Sequence, residues 1–174
     1  MALAIRLLGP ADAPLAERVA TLVNAVYGAS EVGLWRDGSE RTGAAEMAGL
    51  VRAGEIAVAT VDGAIVGCVR VRDIDDEHGE FGVLASAPDR RGTGIGTALV
   101  EFAEGVARER GRRAMRLELL VPREFAHPSK VFLDGWYRRI GYRPISTRSV
   151  EHAHPELVAD LATPCDFVVY EKPL

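Results

Sequence analysis

Three glycines fall within five positions in the stretch Ala87-Pro-Asp-Arg-Arg-Gly-Thr-Gly-Ile-Gly-Thr97. The apolar run 81–85 precedes it. After it Leu99, Phe102 and Val106, with the small Ala98, Ala103 and Ala107, recur at helical spacing. The spacing predicts a loop that leaves a strand and opens a helix. Glycines at 92, 94 and 96 admit backbone conformations closed to residues with a side chain, and they lack the Cβ atoms that would hold an oxyanion away. The unpaired N–H groups of the first helical turn, the positive end of the helix dipole and the charges of Arg90 and Arg91 then suit an anion such as a pyrophosphate. The same residues also suit a glycine-rich turn that binds nothing.

Spacing separates the candidate ligands. A nucleotide-hydrolase loop needs four residues between its glycines and then Lys-Ser/Thr, whereas Gly96 is followed by Thr97 and Ala98. A dinucleotide fingerprint needs Gly-x-Gly-x-x-Gly and an acid about 20 residues further on. From Gly92 the third position is Thr97, from Gly94 it is Leu99, and the acid's place holds Arg112 and Arg113. Both readings fail on a required residue.

The elements that must hold this loop follow from the remaining pattern. Residues 2–8 alternate Leu3, Ile5 and Leu7 as a strand closed by Gly9-Pro10, and 15–27 form an apolar helical stripe ended by Gly28. Helical spacing resumes over 41–53 before Gly54. Segments 55–61 and 64–72 around Asp62-Gly63 make a hairpin. Residues 80–86 form the strand that feeds the loop, 97–110 the helix after it, and 114–121 a strand with Met115, Leu117, Leu119 and Val121 on one face. A helix starts at Pro128-Ser129 and runs to Gly141, 142–149 reads as a strand, 152–161 as a short helix-like turn and 167–172 as the last strand. Strands joined by one crossover helix run parallel and hairpin strands antiparallel, so the sheet is mixed.

A chain of 174 residues with 48% hydrophobic and 26% charged residues reads as one globular domain, 1–174. It has no run of 18 apolar residues, and residues 1–6 lack the pattern of a leader, so a soluble, cytoplasmic protein without membrane contact is expected. Cys68 and Cys165 have no metal or redox spacing and are expected to be buried in a reducing compartment; no metal is expected. The net charge of −4 argues against nucleic acid and is compatible with a cationic substrate. The acidic run Asp73, Asp75, Asp76 and Glu77 reads either as a solvated connection or as a mouth that attracts an amine.

A second stretch, Leu133-Asp-Gly-Trp-Tyr-Arg-Arg-Ile-Gly-Tyr-Arg143, joins an aromatic pair to a glycine and an aromatic where a helix enters a strand. Together with Arg91-x-x-Gly94-x-Gly96 and the terminal Val-Val-Tyr-Glu-Lys-Pro-Leu, it resembles the GCN5-related N-acetyltransferase (GNAT) superfamily over residues 55–174. The first 50 residues match only in their order of elements. The resemblance implies an α/β (α+β) fold with a mixed, mostly antiparallel sheet of about seven strands flanked by about four helices. It also implies acetyl-CoA as co-substrate and transfer of the acetyl group to a primary amine through a tetrahedral intermediate. A small-molecule acceptor is preferred on the acidic segments. A protein N-terminal or lysine acceptor, or a non-catalytic acyl-CoA-binding module, is the alternative, and the chain is a monomer or homodimer.

By the same resemblance, Leu84, Ala85 and Ser86 offer backbone groups to the pantetheine arm as an added strand would. Arg91, Gly92, Thr93, Gly94, Ile95, Gly96 and Thr97 hold the pyrophosphate, and Tyr137 protonates the departing thiolate. The plain alternative for Tyr137 is a packed aromatic. Seven residues before Tyr137 the family usually has Asn; here Lys130 stands there, with Ser129 beside it, and either reaches the cofactor, Lys130 through a phosphate. The region 29–53 forms one wall of the acceptor site, and Trp35 there serves either the wall or plain packing. A lysine-like amine near pKa 10.4 is about 3 units from neutral at pH 7, roughly 4 to 5 kcal/mol, so a base is required. Glu118 ranks first, then Glu80 and His127, each with an ordinary surface or ion-paired role as the alternative. A backbone N–H near Leu84 is expected to stabilise the oxyanion.

Overall fold

The structure is a computed structural model that describes residues 2–174; the reading of Met1 lies outside them. Seven strands form one sheet in the order β1-β2-β3-β4-β5-β7-β6. These are β1 (Leu3–Leu7), β2 (Ile56–Val61), β3 (Ala64–Asp73), β4 (His78–Ser86), β5 (Ala114–Pro122), β6 (Arg143–Ser149) and β7 (Cys165–Pro173). All neighbours are antiparallel except β4 and β5. The crossover helix between those two makes them parallel, as read from the pattern. Four longer helices, α1 (Ala16–Ser30), α2 (Ala44–Arg52), α3 (Ile95–Glu109) and α4 (Pro128–Arg139), and the one-turn α5 (Val150–Ala153) cover the sheet. None of the described helices is long and apolar enough to cross a membrane.

The two faces of the sheet divide the core. On one face α1 and α2 bring Val19, Val23, Met47 and Val51 onto Ile56, Val58, Cys68 and Ala85. On the other, Ile95, Leu99 and Ala103 of α3 and Tyr137 of α4 pack on Val69, Val71, Phe81 and Leu117. Each fully buried Leu or Val there contributes about 1.5 to 3 kcal/mol. A third cluster of Leu34, Leu120, Val150, Leu161, Cys165 and Phe167 lies under the connection between α1 and α2. Gly67 of β3 sets how closely α3 approaches: a Cβ there would stand 2.9 Å from both the Ala85 carbonyl and a Leu99 methyl. The hairpin turn at Asp62-Gly63 has φ of 50° and 79°, the doubly left-handed geometry that this pair favours.

Helix boundaries shift by one to three residues from the sequence reading, α3 starting at Ile95 rather than 97, and two of the shifts have partners distant in sequence. The first helix runs through Gly28 to Ser30 because Glu31, one residue on, is drawn inward by partners distant in sequence. The second starts at Ala44 rather than 41 because the Asn24 carboxamide oxygen accepts the Arg41 and Thr42 N–H groups at 2.9 and 3.2 Å, which holds them outside the helix.

Candidate active site

The loop before α3 has the expected form. Gly92 and Gly94 take φ of 75° and 84°, with Gly94 as the left-handed N-cap residue of α3. Thr93 folds back, its hydroxyl donating to the Arg90 carbonyl at 2.6 Å. The N–H groups of Ile95, Gly96 and Thr97 have no acceptor among the described residues; the first helical bond runs from Ala98 to Gly94. Three donors and the positive helix end therefore face outward, and Arg91 forms no ion pair among the described residues. Trp136 of α4 lies over the loop, its ring 3.7 Å from where a Gly96 Cβ would be.

The strand that feeds this loop is distorted where a ligand would need access. β4 and β5 pair only from His78–Glu80 to Ala114–Arg116 and then part, although each keeps its outer partner. On the β3 side, Cys68 pairs with Ala85 and Arg70 with Gly82, so Val69 faces both Val83 and Leu84. This is a two-against-one bulge. Val83 sits at φ 50°, costly for a β-branched residue. Strain of this kind, about 1 to 3 kcal/mol, persists where the surroundings impose it and concentrates at functional sites. The inner edge of 81–86 is thus free of β5, and Leu84, Ala85 and Ser86 line the gap.

Two tyrosines converge on this gap from opposite faces. Tyr137 comes from α4 and is almost fully buried among Phe81, Trp136, Tyr142 and Tyr170. Its hydroxyl has no hydrogen-bond partner among the described residues. Burial first, then the nearby Tyr27 and Tyr170, push its pKa up, so the phenol holds its proton. Tyr27 comes from α1, and its hydroxyl oxygen accepts the N–H of Leu84. Burial raises its pKa too, opposed by the charge of Arg41 and by that N–H.

The connection between α1 and α2 is fastened across the sheet. Lys130, at the first turn of α4, places Nζ 2.5 Å from Glu31 Oε1, with both side chains buried. The other Glu31 oxygen accepts the Trp35 indole N–H at 2.5 Å. His127 Nε2 lies 2.9 Å from the Val32 carbonyl while its Nδ1 accepts from Ser129, so both ring nitrogens are engaged. Trp35 bridges Leu161; Arg36 N–H donates to the Asp160 carbonyl at 2.8 Å and Ala162 N–H to the Leu34 carbonyl at 2.9 Å. Beneath this strap lies a cavity of about 320 Å³ lined by Tyr27, Glu31, Trp35, Arg36 and Arg41 among others.

The expected site residues therefore separate. Leu84 to Ser86, the loop from Arg91 to Thr97 and Tyr137 surround one gap. Lys130 is corrected: its ammonium is spent on Glu31 inside the protein and is not available to a phosphate. Ser129 is likewise engaged by His127. Of the candidate bases, Glu80 is held by Arg72 at 2.7 Å and His127 is structural. Glu118 accepts from His154 Nε2 at 2.8 Å, with Arg148 at 3.8 Å, and shares a face of β5 with Leu120 under the strap. The acidic run is a solvated connection at the far end of α3, about 22 Å from the loop: Asp73 meets Arg110 and Arg112, and Asp75 accepts the Glu77 and His78 N–H groups. Trp35 serves both packing and the cavity wall. Tyr27, Glu31, Arg41 and His154 carried no sequence signal, since each lies on an element whose pattern reads as surface or core.

Comparison with known proteins agrees with this geometry. The acetyltransferase (GNAT) domain family matches residues 52–144. No curated protein sequence matches the chain. Among solved structures, Ard1 from Thermoplasma volcanium superposes with a TM-score of 0.68 at 18% identity, covering 100% of this chain and 99% of that one. Ribosomal-protein-alanine N-acetyltransferase from Brucella melitensis gives 0.69 at 16% identity over 98% and 99%. N-acetylglutamate synthase from Neisseria gonorrhoeae, complexed with coenzyme A and N-acetyl-glutamate, gives 0.66 at 15% identity over 100% of this chain and 35% of that one.

Proposed function

Because the chain belongs to the GNAT acetyltransferase family, we propose that it moves an acetyl group from acetyl-CoA to a primary amine on a small molecule. The observation that carries this reading is the gap between β4 and β5, bulged at Val83 and closed at one end by the α3 N-terminus. A pyrophosphate on the N–H groups of Ile95, Gly96 and Thr97 beside Arg91 leaves the pantetheine arm to pair with the free edge of 81–86, as a strand would. The thioester then reaches the bulge. There the Leu84 N–H polarises its carbonyl once the Tyr27 hydroxyl has given way.

The amine enters from the strap side, and Glu118, directly or through water, takes its proton. The nitrogen attacks the thioester carbon, the C–N bond forms and the C–S bond breaks. The electron pair leaves on sulfur, Tyr137 supplies the proton that makes the free thiol, the second proton shed by the acylated nitrogen passes through water to the tyrosinate, and Glu118 gives its proton up to solvent. A phenol with a raised pKa suits that role, since it stays protonated until a thiolate forms beside it. The strap supports a small acceptor: the contacts of Leu34, Trp35 and Arg36 with 160–162 hold these two walls together beside the cavity.

Thiol release from acetyl-CoA in a panel of small amines and of peptides tests the reading. Turnover with small amines and none with peptides is expected; turnover confined to peptides overturns the small-molecule assignment, and none with either overturns the enzymatic one.

A further inference from the structure

The cavity under the strap contains a guanidinium, that of Arg41, which donates no side-chain hydrogen bond among the described residues. Arg41 stands over two aromatic rings, its guanidinium carbon 4.9 Å from the Tyr27 centroid and 4.6 Å from that of Trp35. The side chain is 27% exposed, and its donors lie on the N–H edge of the guanidinium. Among the described residues that edge meets no hydrogen-bond acceptor. The nearest carboxylate is Glu31, at 3.8 Å from Nε. Its two oxygens already serve Lys130 and Trp35, so its charge is compensated inside the protein. Arg36 adds a second positive charge, its Nε held by the Leu161 carbonyl at 3.1 Å, and the carboxylate of Asp37 lies exposed at the rim.

We infer that the stacked edge of Arg41 receives a carboxylate of the acceptor, which makes the acceptor an amine of amino-acid size that also carries a carboxylate. This rests on the acetyl-transfer reading above. The guanidinium fork matches a carboxylate in two parallel hydrogen bonds, and its orientation is fixed before the ligand arrives. A cavity of about 320 Å³ holds a molecule of amino-acid size, at the lower end of ordinary ligand sites. Position agrees as well, because the Tyr27 ring under Arg41 carries the hydroxyl that meets the Leu84 N–H. Arg41 and Tyr27 also border, with Val83, a smaller cleft of about 50 Å³, so a molecule held on Arg41 stands beside the bulge.

The test compares kcat/KM for the standard L-amino acids and for their matched amides, in the wild-type protein and in Arg41→Lys and Arg41→Gln. The wild type is expected to favour the acids. Either substitution should lower kcat/KM for the acids by roughly tenfold to a hundredfold, the range for losing a charge-assisted hydrogen bond. It should leave the amides within about threefold and acetyl-CoA affinity unchanged. Arg41→Lys keeps the charge without the fork and guards against a folding defect in the Gln variant. Equal use of acids and amides, or an equal loss on both, overturns the carboxylate site while leaving acetyl transfer standing. Failure to bind acetyl-CoA at all overturns the reading beneath it.

Discussion

Lys130 Nζ and Glu31 Oε1 lie 2.5 Å apart, 99 residues apart in sequence, with 5% and 4% of their residues exposed. The pair fastens the end of α1 to the start of α4 across the sheet. Removing Lys130 leaves the buried Glu31 carboxylate with Arg41, 3.8 Å from its other oxygen, as its nearest cation; breaking such a buried pair costs about 3 to 5 kcal/mol, whereas removing both partners together can be nearly neutral. Lys130→Met should therefore lower stability to urea by that amount, and Lys130→Met with Glu31→Gln, which keeps an acceptor for Trp35, should recover most of it. A single variant as stable as the wild type would contradict the buried pair.

Tyr137→Phe removes a hydroxyl that has no hydrogen-bond partner among the described residues, so the melting temperature should stay close to wild type. Turnover should fall by about a hundredfold or more, as for loss of a general acid, with acetyl-CoA affinity unchanged. An equal loss of stability and activity would assign Tyr137 to packing alone.

Gly67→Ala puts a methyl group into backbone and side chain at 2.9 Å. Overpacking of this kind costs about 1 to 3 kcal/mol. The displaced element is α3, whose first turn carries the loop donors, so acetyl-CoA should bind more weakly as well. Gly105→Ala on the same helix has no atom within 4 Å of the added carbon and serves as the control.

Burial pushes the Cys68 thiol up to about 12 and the Cys165 thiol to about 11. Unfolded cysteines ionise near 8.5, so the fold favours the protonated form. The stability this provides is complete below the unfolded value and is lost as pH rises from about 8.5 toward 11 and 12. At pH 8 a disulfide reagent should modify neither thiol in the native protein and both in denaturant. Rapid reaction of the native protein would contradict the burial.

Much of the site was legible because its signals are local. The loop glycines, the Asp62-Gly63 turn and the parallel crossover each follow from a few adjacent residues. The bulge at Val83 left no trace, since 81–85 is continuously apolar whether the backbone is regular or not, and only the pairing of Val69 with two residues reveals it. Glu31 ends a helix where an acid reads as solvated, and Lys130 stands where the family usually has Asn. Their meeting depends on the fold bringing the end of α1 to the start of α4, which no pattern within either helix records. The acidic run at 73–77 shows the converse: a strong composition signal whose partners Arg110 and Arg112 lie at the wrong end of α3 for chemistry.

The gap between β4 and β5 is proposed as a coenzyme A slot. Isothermal titration calorimetry with acetyl-CoA, with a magnesium nucleoside triphosphate as competitor, addresses it most directly. One acetyl-CoA per chain is expected, with a dissociation constant between about 1 μM and 1 mM, the ordinary range for enzyme substrates, and no displacement by the nucleotide. No heat with acetyl-CoA, or tighter binding of the nucleotide, would contradict the account.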